Sequence, residues 1–231
     1  TPTYNEIDNI EFFINSILEK PLSLLIIDDN SPDGTGRLVN NIKSKYKNLF
    51  SIHRDSKQGL GSAYREGFDW AIDNNYQFVV EMDADFSHRP QEIRANIKYF
   101  INKRLNFLIA SRYLKNSKII NWPMSRHLLS KFSNLLARIL LNIPIKDYTN
   151  GFRFYDRSAA RHIVQKCSKS KSNGFILLSE IAMELYIDKF KIDERPTIFL
   201  NRTRGESKAS LNEILSSFFG LLRLFIRYKL I

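Results

Sequence analysis

Apolar and polar positions in the first half of the chain alternate between helical and strand periods. Residues 7–20 carry apolar side chains every three or four positions, which predicts an amphipathic helix. The next segment, SLLIIDDNSPDGTG, places four apolar residues before acids and turn formers, which predicts a short buried strand and a polar loop. Further predicted elements follow in this order: a helix over about 36–47, a weak strand near Leu49–His53, a helix entered through the glycine-bearing loop of QGLGSAYREGFDWAIDN, a strand in QFVVEMDAD, a helix over Pro90–Lys103 and a strand in NFLIASRY. The alternation predicts an α/β domain with a largely parallel sheet.

Two amphipathic segments follow residue 120. The first, MSRHLLSKFSNLLARILLNIP, has an apolar face that runs from Leu128 to Ile143, and the second, LNEILSSFFGLLRLFIRYKLI, is more hydrophobic and contains interspersed basic residues. Packing on the core is the usual fate of such helices. Helices of this composition also lie on anionic membrane surfaces, so both interpretations stay open here.

Several polar residues fall at predicted strand ends, where α/β sheets bind their ligands. This rule predicts that six side chains converge on one crevice: Asp28, Asp29, Asp83, Asp85, Ser111 and Arg112. The D-x-D pair suits Mg²⁺ or Mn²⁺, which take carboxylate, phosphate and water oxygens as ligands. The alternative for both acidic pairs is ordinary turn formation or helix capping. For Asp29, a hydrogen bond to a ribose or a base edge is a further hypothesis.

The charge balance of the 231 residues indicates anionic partners. Lysine and arginine number 35 against 24 acidic residues, a formal net charge of +11. Nucleic acid, an anionic membrane surface and phosphorylated substrates all fit such a charge. The acidic pairs at the strand ends argue against nucleic acid, because they would repel a phosphate backbone. Candidate phosphate-binding side chains are Arg112, Arg126, Arg202, Arg204 and Lys208.

Three further sequence features restrict the structures that the chain can form. Cys167 is the single cysteine, which excludes an internal disulfide, and a buried side chain is favoured over a nucleophile. No apolar run reaches about 18 residues, so no transmembrane helix is expected within these residues. The chain starts at Thr1 without the apolar strand that the pattern requires, which predicts a first strand truncated at the N-terminus.

Eight motifs together resemble one family. These are PTYNE, IIDDNSPDGT, KQGLGSAYREG, MDADFSHRP, SRY, NWPMSRHLLSK, DYTNGFRFY and RTRGESK, in that order along nearly the whole chain. They resemble the dolichol-phosphate mannosyltransferases, the polyprenol monophosphomannose synthases of glycosyltransferase family 2. The resemblance implies a GT-A fold, a nucleotide-sugar donor (GDP-mannose in this branch), Mg²⁺ or Mn²⁺, and a polyprenyl phosphate acceptor. It also implies inverting, in-line transfer.

The resemblance implies roles for individual residues. Nucleotide-sugar binding is expected of Pro2, Tyr4, Glu6, Ile27, Asp29, Asp83, Ala84, Asp85, Arg112, Arg202 and Lys208. The metal ligands are expected to be Asp83 and Asp85. The acceptor phosphate is expected to meet Arg112, Arg126 and Ser130, and the residues expected to carry catalysis are Asp85, Arg112 and Arg126.

Two positions depart from the family pattern. Ser87 stands where some members have a glutamine as third metal ligand, so it is a weaker candidate ligand. Ile176 lies where some members have a lysine that contacts the donor. His88 receives no role. Two alternative functions stay open: a polyprenyl-phosphate glucosyl- or hexosyltransferase using a UDP-sugar, and a non-catalytic nucleotide-sugar or phospholipid-binding module.

The resemblance also frames the domain organisation and location. We expect a GT-A catalytic domain over residues 1–209, including an amphipathic helix at about 125–143, and a membrane-interface helix over 210–231. The protein is expected to lie peripherally on the cytoplasmic face of a membrane. A membrane-anchoring segment or subunit outside this chain is compatible with this expectation.

Overall fold

A computed structural model describes residues 1–167, 175–201 and 211–229 of the chain. Its elements follow in this order: β1 (Pro2–Thr3), α1 (Ile7–Leu18), β2 (Leu24–Asp28), α2 (Thr35–Lys43), β3 (Leu49–His53), α3 (Leu60–Asp73), β4 (Phe78–Glu81), a 3₁₀ turn (Pro90–Glu92), α4 (Ile93–Asn102), β5 (Phe107–Ser111), β6 (Lys118–Ile120), α5 (Met124–Leu141), β7 (Arg153–Asp156), α6 (Arg157–Cys167), α7 (Phe175–Ile187), β8 (Ile192–Pro196), β9 (Ile198–Leu200) and α8 (Leu211–Lys229). The elements predicted for the first half of the chain are confirmed, with ends that shift by a few residues.

The described strands form a parallel sheet, a mixed sheet and a two-stranded parallel pair. Strands β1, β2 and β3 lie side by side in parallel. The second sheet has the order β4-β7-β5-β8, in which β7 is antiparallel to β4 and β5 whereas β8 is parallel to β5. Strands β6 and β9 form a separate parallel pair. Because β7 runs against its neighbours, it begins at the edge where β4 and β5 end, and the residues before it reach the carboxyl ends of those strands.

Strand β8 was not predicted, and its composition explains why. Its sequence, IDERP, has charged residues where a buried strand would carry apolar ones. Each of these charges has a specific partner. Asp193 accepts from the Tyr99 hydroxyl (2.7 Å), Arg195 donates to Asn96, and Glu194 accepts from two backbone N–H groups. These partners come from other elements and leave no periodic signal.

Helices cover the sheets from both sides and divide the core into two clusters. Helices α1, α2 and α4 enclose one cluster, which includes Phe13, Ile26 and Phe154. Helices α3, α5, α6, α7 and α8 enclose the other, in which Phe107 is fully buried. Cys167 is buried there as predicted, and burial followed by the charges of nearby glutamates raises the pKa of its thiol to about 12.

Helix α8 packs along α5 and α7 through one face. Leu221 and Leu224 are buried, and Nη1 of Arg227 donates to Oε1 of Glu180 (2.7 Å). Gly220 lies against Ile176, so Ile176 packs under α8. Within the described ranges, no helix combines the length and the apolar character needed to cross a bilayer. The division into residues 1–209 and 210–231 stays a prediction.

The close approach of α8 to α7 predicts the effect of Gly220→Ala. A Cβ at this position would lie 2.7 to 3.1 Å from three side-chain atoms of Ile176. Alanine favours a helix by about 1 kcal/mol over glycine, but overpacking costs about 1–3 kcal/mol. We expect a net loss of about 1 kcal/mol in the free energy of unfolding, measured by urea titration.

The matched control for this loss is the same substitution in an Ile176→Ala background. The obstructing atoms are absent there, so alanine at position 220 should be neutral or stabilising. An equal loss in both backgrounds would contradict the packing explanation.

Candidate active site

An open cavity of about 60 Å³ lies at the carboxyl ends of β4 and β5. It brings together two carboxylates and two guanidinium groups, those of Asp83, Asp85, Arg112 and Arg126. The other lining residues are Leu60, Tyr64, Ser87, Thr149, Asn150, Gly151, Leu178 and Phe199. The three residues expected to carry catalysis, Asp85, Arg112 and Arg126, therefore share one cavity.

One side of the cavity, the acidic wall, is formed by the tight loop of residues 83–87, which follows β4. The backbone N–H of Ser87 donates to Oδ1 of Asp85 (2.9 Å), which closes a short turn around an almost fully buried carboxylate. Phe86, between them, has a φ of +59°, a strained value for a bulky residue. Such strain persists only where the surroundings enforce it, and it concentrates at functional sites.

This acidic wall fits a hard divalent cation. Asp83 and Asp85 line the same cavity, and carboxylate oxygens are the ligands that Mg²⁺ and Mn²⁺ prefer. Ser87 lines it too and is 2% exposed, so its position suits a third oxygen ligand. The metal roles of all three residues stay predictions.

No role was assigned to His88 from the sequence. In the structure its ring supports the acidic wall through two hydrogen bonds. The backbone N–H of Asp83 donates to Nδ1 of His88 (3.1 Å), which makes Nε2 the protonated nitrogen. Nε2 then donates to Oδ1 of Asn150 (2.9 Å), and the ring stacks on Phe152. Both ring nitrogens are thus occupied, and His88 connects the acidic loop to the segment before β7.

A second side of the cavity, the basic wall, is formed by Arg112 and Arg126. The buried Asp147 holds Arg112 in place. Nε and Nη2 of Arg112 donate to the two carboxylate oxygens of Asp147 (2.8 and 2.7 Å). Burial alone would raise the pKa of Asp147, but the charge and hydrogen bonds of Arg112 hold that pKa below its usual value. Burial would likewise lower the pKa of Arg112, and Asp147 raises it instead. The pair therefore stays ionised in the interior.

Arg126 and Ser130 lie one turn apart on α5. Nη1 of Arg126 donates to Oδ1 of Asn201 (2.9 Å), and its guanidinium lies 4.3 Å from the ring centroid of Trp122. Oγ of Ser130 accepts from the Tyr113 hydroxyl (2.6 Å). Trp122 and Tyr113 are therefore supporting residues that belong to the quoted motifs but had no assigned role.

The carboxylates of Asp28 and Asp29 accept hydrogen bonds that hold neighbouring loops in place. Asp29 accepts from the backbone N–H groups of Gln58 and Gly59 and from Arg54 (2.8 to 3.1 Å). Burial would raise the pKa of Asp29, but these hydrogen bonds lower it. Asp28 accepts from the backbone and hydroxyl of Ser31. Both carboxylates make the loop contacts that the turn-forming alternative describes, and the nucleotide-binding role of Asp29 stays a prediction.

The prediction that six strand-end residues converge on one crevice is wrong in part. Asp83, Asp85 and Arg112 converge, whereas Asp28 and Asp29 support loops next to the cavity. Ser111 is fully buried and hydrogen-bonds to Glu194. The rule places the carboxyl ends of strands at one edge but does not say which way each side chain turns.

The other expected nucleotide-binding residues lie near β1, β2 and the acidic loop. Pro2 pairs with Ile27 across β1 and β2, and Ala84 is buried within the acidic loop. Tyr4 is partly exposed under the ammonium group of Lys57 (3.8 Å). Glu6 accepts from the Asn9 side chain (2.8 Å). Their binding roles stay predictions; Arg202, Arg204 and Lys208 lie outside the described residues.

The segment before β7 forms the floor of the cavity, and Arg153 holds it. This fully buried guanidinium donates to the backbone carbonyls of Asn150, Tyr148 and Leu178 (2.6 to 2.8 Å). It thereby ties the floor to α7, which supplies Leu178 to the cavity wall. The motif DYTNGFRFY contains Arg153, but only the fold reveals that the residue is buried.

The model of the family described as "Glycosyl transferase family 2" matches residues 1–164. The chain belongs to glycosyl transferase family 2. It is similar to a polyprenol monophosphomannose synthase from Mycolicibacterium smegmatis, with 34% identity over 99% of this chain and 86% of that protein. An undecaprenyl-phosphate mannosyltransferase from Micrococcus luteus is 35% identical over 90% of this chain and 85% of that protein.

Solved structures confirm the fold of this glycosyltransferase. A glucosyl-3-phosphoglycerate synthase from Mycobacterium tuberculosis, crystallised with Mn²⁺, uridine diphosphate and phosphoglyceric acid, superimposes with a TM-score of 0.68. The match covers 98% of this chain and 76% of that one at 14% identity. The predicted GT-A fold and the resemblance to polyprenyl-phosphate mannosyltransferases are confirmed.

The floor of the cavity predicts the effect of Gly151→Ala in this glycosyltransferase. A Cβ at this position would lie 3.0 Å from the Tyr64 hydroxyl and 3.7 Å from Oδ1 of Asp83. Because metal sites depend on the groups that orient their ligands, we expect about tenfold weaker Mn²⁺ binding. Isothermal calorimetry on the purified protein measures the affinity.

The control places the same alanine in a Tyr64→Phe background, where the nearest obstructing atom is absent. The substitution should then cost much less Mn²⁺ affinity, relative to Tyr64→Phe alone. Unchanged Mn²⁺ binding by Gly151→Ala in the otherwise natural chain would argue against a cation at this acidic wall.

Proposed function

We propose that this glycosyltransferase transfers mannose from GDP-mannose to a polyprenyl phosphate and so produces polyprenyl-phosphate mannose. One observation carries the proposal: an acidic pair and two arginines line a single cavity in a chain 34–35% identical to polyprenyl-phosphate mannosyltransferases. The acids suit a metal-bound diphosphate, and the arginines suit a second phosphate.

For this reaction the protein must bring two anions together. The acceptor phosphate is already ionised, so it needs no general base. Its oxygen attacks the anomeric carbon and forms the new C–O bond, while the bond to the nucleoside diphosphate breaks and its electron pair leaves with the diphosphate. An in-line displacement of this kind inverts the anomeric configuration.

The side chains divide this work between two walls. Asp83 and Asp85, with Ser87 as a third oxygen donor, would hold Mg²⁺ or Mn²⁺. When bound, this cation offsets negative charge on the departing diphosphate. Arg112 and Arg126 orient the acceptor phosphate and offset its charge, and Ser130 adds a hydroxyl one helical turn from Arg126. Arg202 and Lys208, by resemblance, contact donor phosphates.

Helix α5 supports a peripheral position on a membrane. It packs inward through Asn134, Ala137 and Leu141, and its Leu136 and Leu140 also pack against the core cluster. The apolar stripe instead faces outward, with five side chains between 51% and 72% exposed: Met124, Leu128, Phe132, Leu135 and Ile139. Core packing, the alternative left open by the sequence, therefore does not account for this face.

Helix α8 extends the same surface. It lies beside α5 and exposes Phe218, Phe219, Leu222 and Ile226. Exposed basic residues flank the apolar side chains, among them Lys131 and Arg138 on α5 and Arg223 on α8. An apolar face with basic flanks suits an anionic leaflet. It would also place Arg126 and Ser130, on α5, close to the lipid that carries the acceptor phosphate.

Turnover is the direct test of the proposed reaction. We expect radiolabelled mannose to pass from GDP-mannose to a polyprenyl phosphate, to stop with EDTA and to return with Mn²⁺ or Mg²⁺. Asp85→Asn should lower the rate by roughly 10²-fold or more, because it removes electrostatic stabilisation of the leaving group. Asp73→Asn, an exposed carboxylate on α3, is the matched control and should retain full activity.

Three other outcomes would contradict all or part of this proposal. Transfer from a UDP-sugar but not from GDP-mannose would indicate a polyprenyl-phosphate hexosyltransferase of different donor specificity. Nucleotide-sugar binding without turnover would indicate a binding module. Undiminished transfer by Asp85→Asn would contradict the metal role.

Membrane attachment has its own test on α5. We expect Leu128→Ser with Phe132→Ser to reduce binding to vesicles of anionic phospholipid by roughly tenfold or more, because each buried apolar side chain contributes about 1.5–3 kcal/mol. Co-sedimentation measures the bound fraction.

The matched control is Phe12→Ser with Ile101→Ser. These two exposed apolar residues lie on α1 and α4, which pack against the other core cluster. Equal loss of vesicle binding in both double variants would contradict attachment through α5.

A further inference from the structure

Asp147 is a fully buried carboxylate that serves one of the cavity arginines. Its Oδ2 accepts from the backbone N–H and from Nε of Arg112, both at 2.8 Å. Its Oδ1 accepts from Nη2 of Arg112 (2.7 Å) and from the backbone N–H of Asn150 (3.1 Å). Asp147 does not line the cavity itself; it reaches the lining through the side chain of Arg112 and through the backbone of Thr149 and Asn150.

These contacts determine which part of Arg112 faces the cavity. Nη2 also donates to Oγ1 of Thr149 (2.7 Å). Among the described residues, three of the five guanidinium N–H bonds therefore have acceptors within the protein: the one on Nε and the two on Nη2. This leaves the Nη1 amino group, which donates to none of the described residues, for an anion in the cavity that Arg112 lines.

Opposite charges that line one cavity attract each other, and an ion pair between them would compete with the binding of ligands. Asp83 and Asp85 line the cavity that Arg112 lines, and the negative charge of Asp83 contributes to the raised pKa of Arg112, after Asp147 and Tyr113. A mobile guanidinium would move toward these carboxylates, because ion pairs strengthen away from bulk water. Such pairing would neutralise the acceptor-binding cation and compete with a metal ion.

We propose that Asp147 is a positioning residue that keeps Arg112 on the acceptor side of the cavity and away from Asp83 and Asp85. It thereby preserves a cation for the acceptor phosphate and an acidic pair for the metal. This inference rests on the proposed function, since it assigns the two walls to an acceptor phosphate and a metal-bound donor.

A double-mutant cycle tests the inference with two readouts. The four proteins are the natural chain, Asp147→Asn, Arg112→Gln and the double variant. One readout is Mn²⁺ binding by calorimetry without substrates, and the other is the KM for polyprenyl phosphate.

Asp147→Asn should weaken Mn²⁺ binding about tenfold and raise the acceptor KM at least tenfold, because the released arginine pairs with the acids. In the double variant, Mn²⁺ affinity should return to within about threefold of the natural chain, whereas the acceptor KM should stay high. Equal and weak Mn²⁺ binding by Asp147→Asn and the double variant would indicate a merely structural role and overturn the proposal. Unchanged values in Asp147→Asn would overturn it as well.

Thr149 provides a milder pair of variants if Asp147→Asn unfolds, because that change leaves a buried arginine short of acceptors. Thr149→Val removes one acceptor from Nη2 and should raise the acceptor KM about threefold, and Thr149→Ser should restore it. An unchanged KM in folded Thr149→Val would overturn the proposal. Mn²⁺ binding needs no turnover, so a chain that binds Mn²⁺ but transfers no mannose would refute the proposed function separately.

Discussion

Two carboxylates and two guanidinium groups face one cavity, and the site depends on their not neutralising one another. The fold gives these charges hydrogen-bond partners within the protein. Asp85 accepts from the Ser87 backbone, Arg112 is bound to Asp147, and Arg126 donates to Asn201. The charges are therefore oriented before any ligand arrives, which is the condition under which electrostatic stabilisation is effective.

The segment from Asp147 to Arg153 connects the two sides of the cavity. The antiparallel direction of β7 carries this segment to the carboxyl ends of β4 and β5, where the acidic loop and Arg112 lie. Asp147 holds the basic wall, Asn150 reaches the acidic loop through His88, and Arg153 ties the segment to α7. A single stretch of chain thus sets the position of both walls, and a disturbance in it should reach both walls together.

The sequence was informative where local patterns carry the structure. Helices α1 to α4 and strands β2 to β5 follow from periodicity, and the placement of Asp83, Asp85 and Arg112 follows from the strand-end rule. The partners of these residues did not follow, because Asp147 lies 35 residues after Arg112, and Asn150 lies 62 residues after His88. Buried charges such as Arg153 resemble surface charges in a sequence, and only the tertiary partners distinguish them.

The outward direction of the α5 stripe is a further property that periodicity could not decide. A hydrophobic face predicts a helix but not the medium that face meets. Here small and polar residues, Asn134 and Ala137, contact the core while Phe132 and Ile139 face out. The helix that carries Arg126 into the cavity lining therefore also carries an apolar surface, and this arrangement suits an acceptor with a charged head and a hydrocarbon tail.

The central claim, that the acidic wall holds a metal-bound donor opposite the arginines, is tested most directly by crystals soaked with Mn²⁺ and GDP. The account predicts an anomalous Mn²⁺ peak within coordination distance of the carboxylates of Asp83 and Asp85, with the diphosphate bound to the same ion. GDP bound without a peak at these acids would contradict it. So would a peak found instead at the ligand cluster that His162, Glu184 and Asp188 form among the described residues.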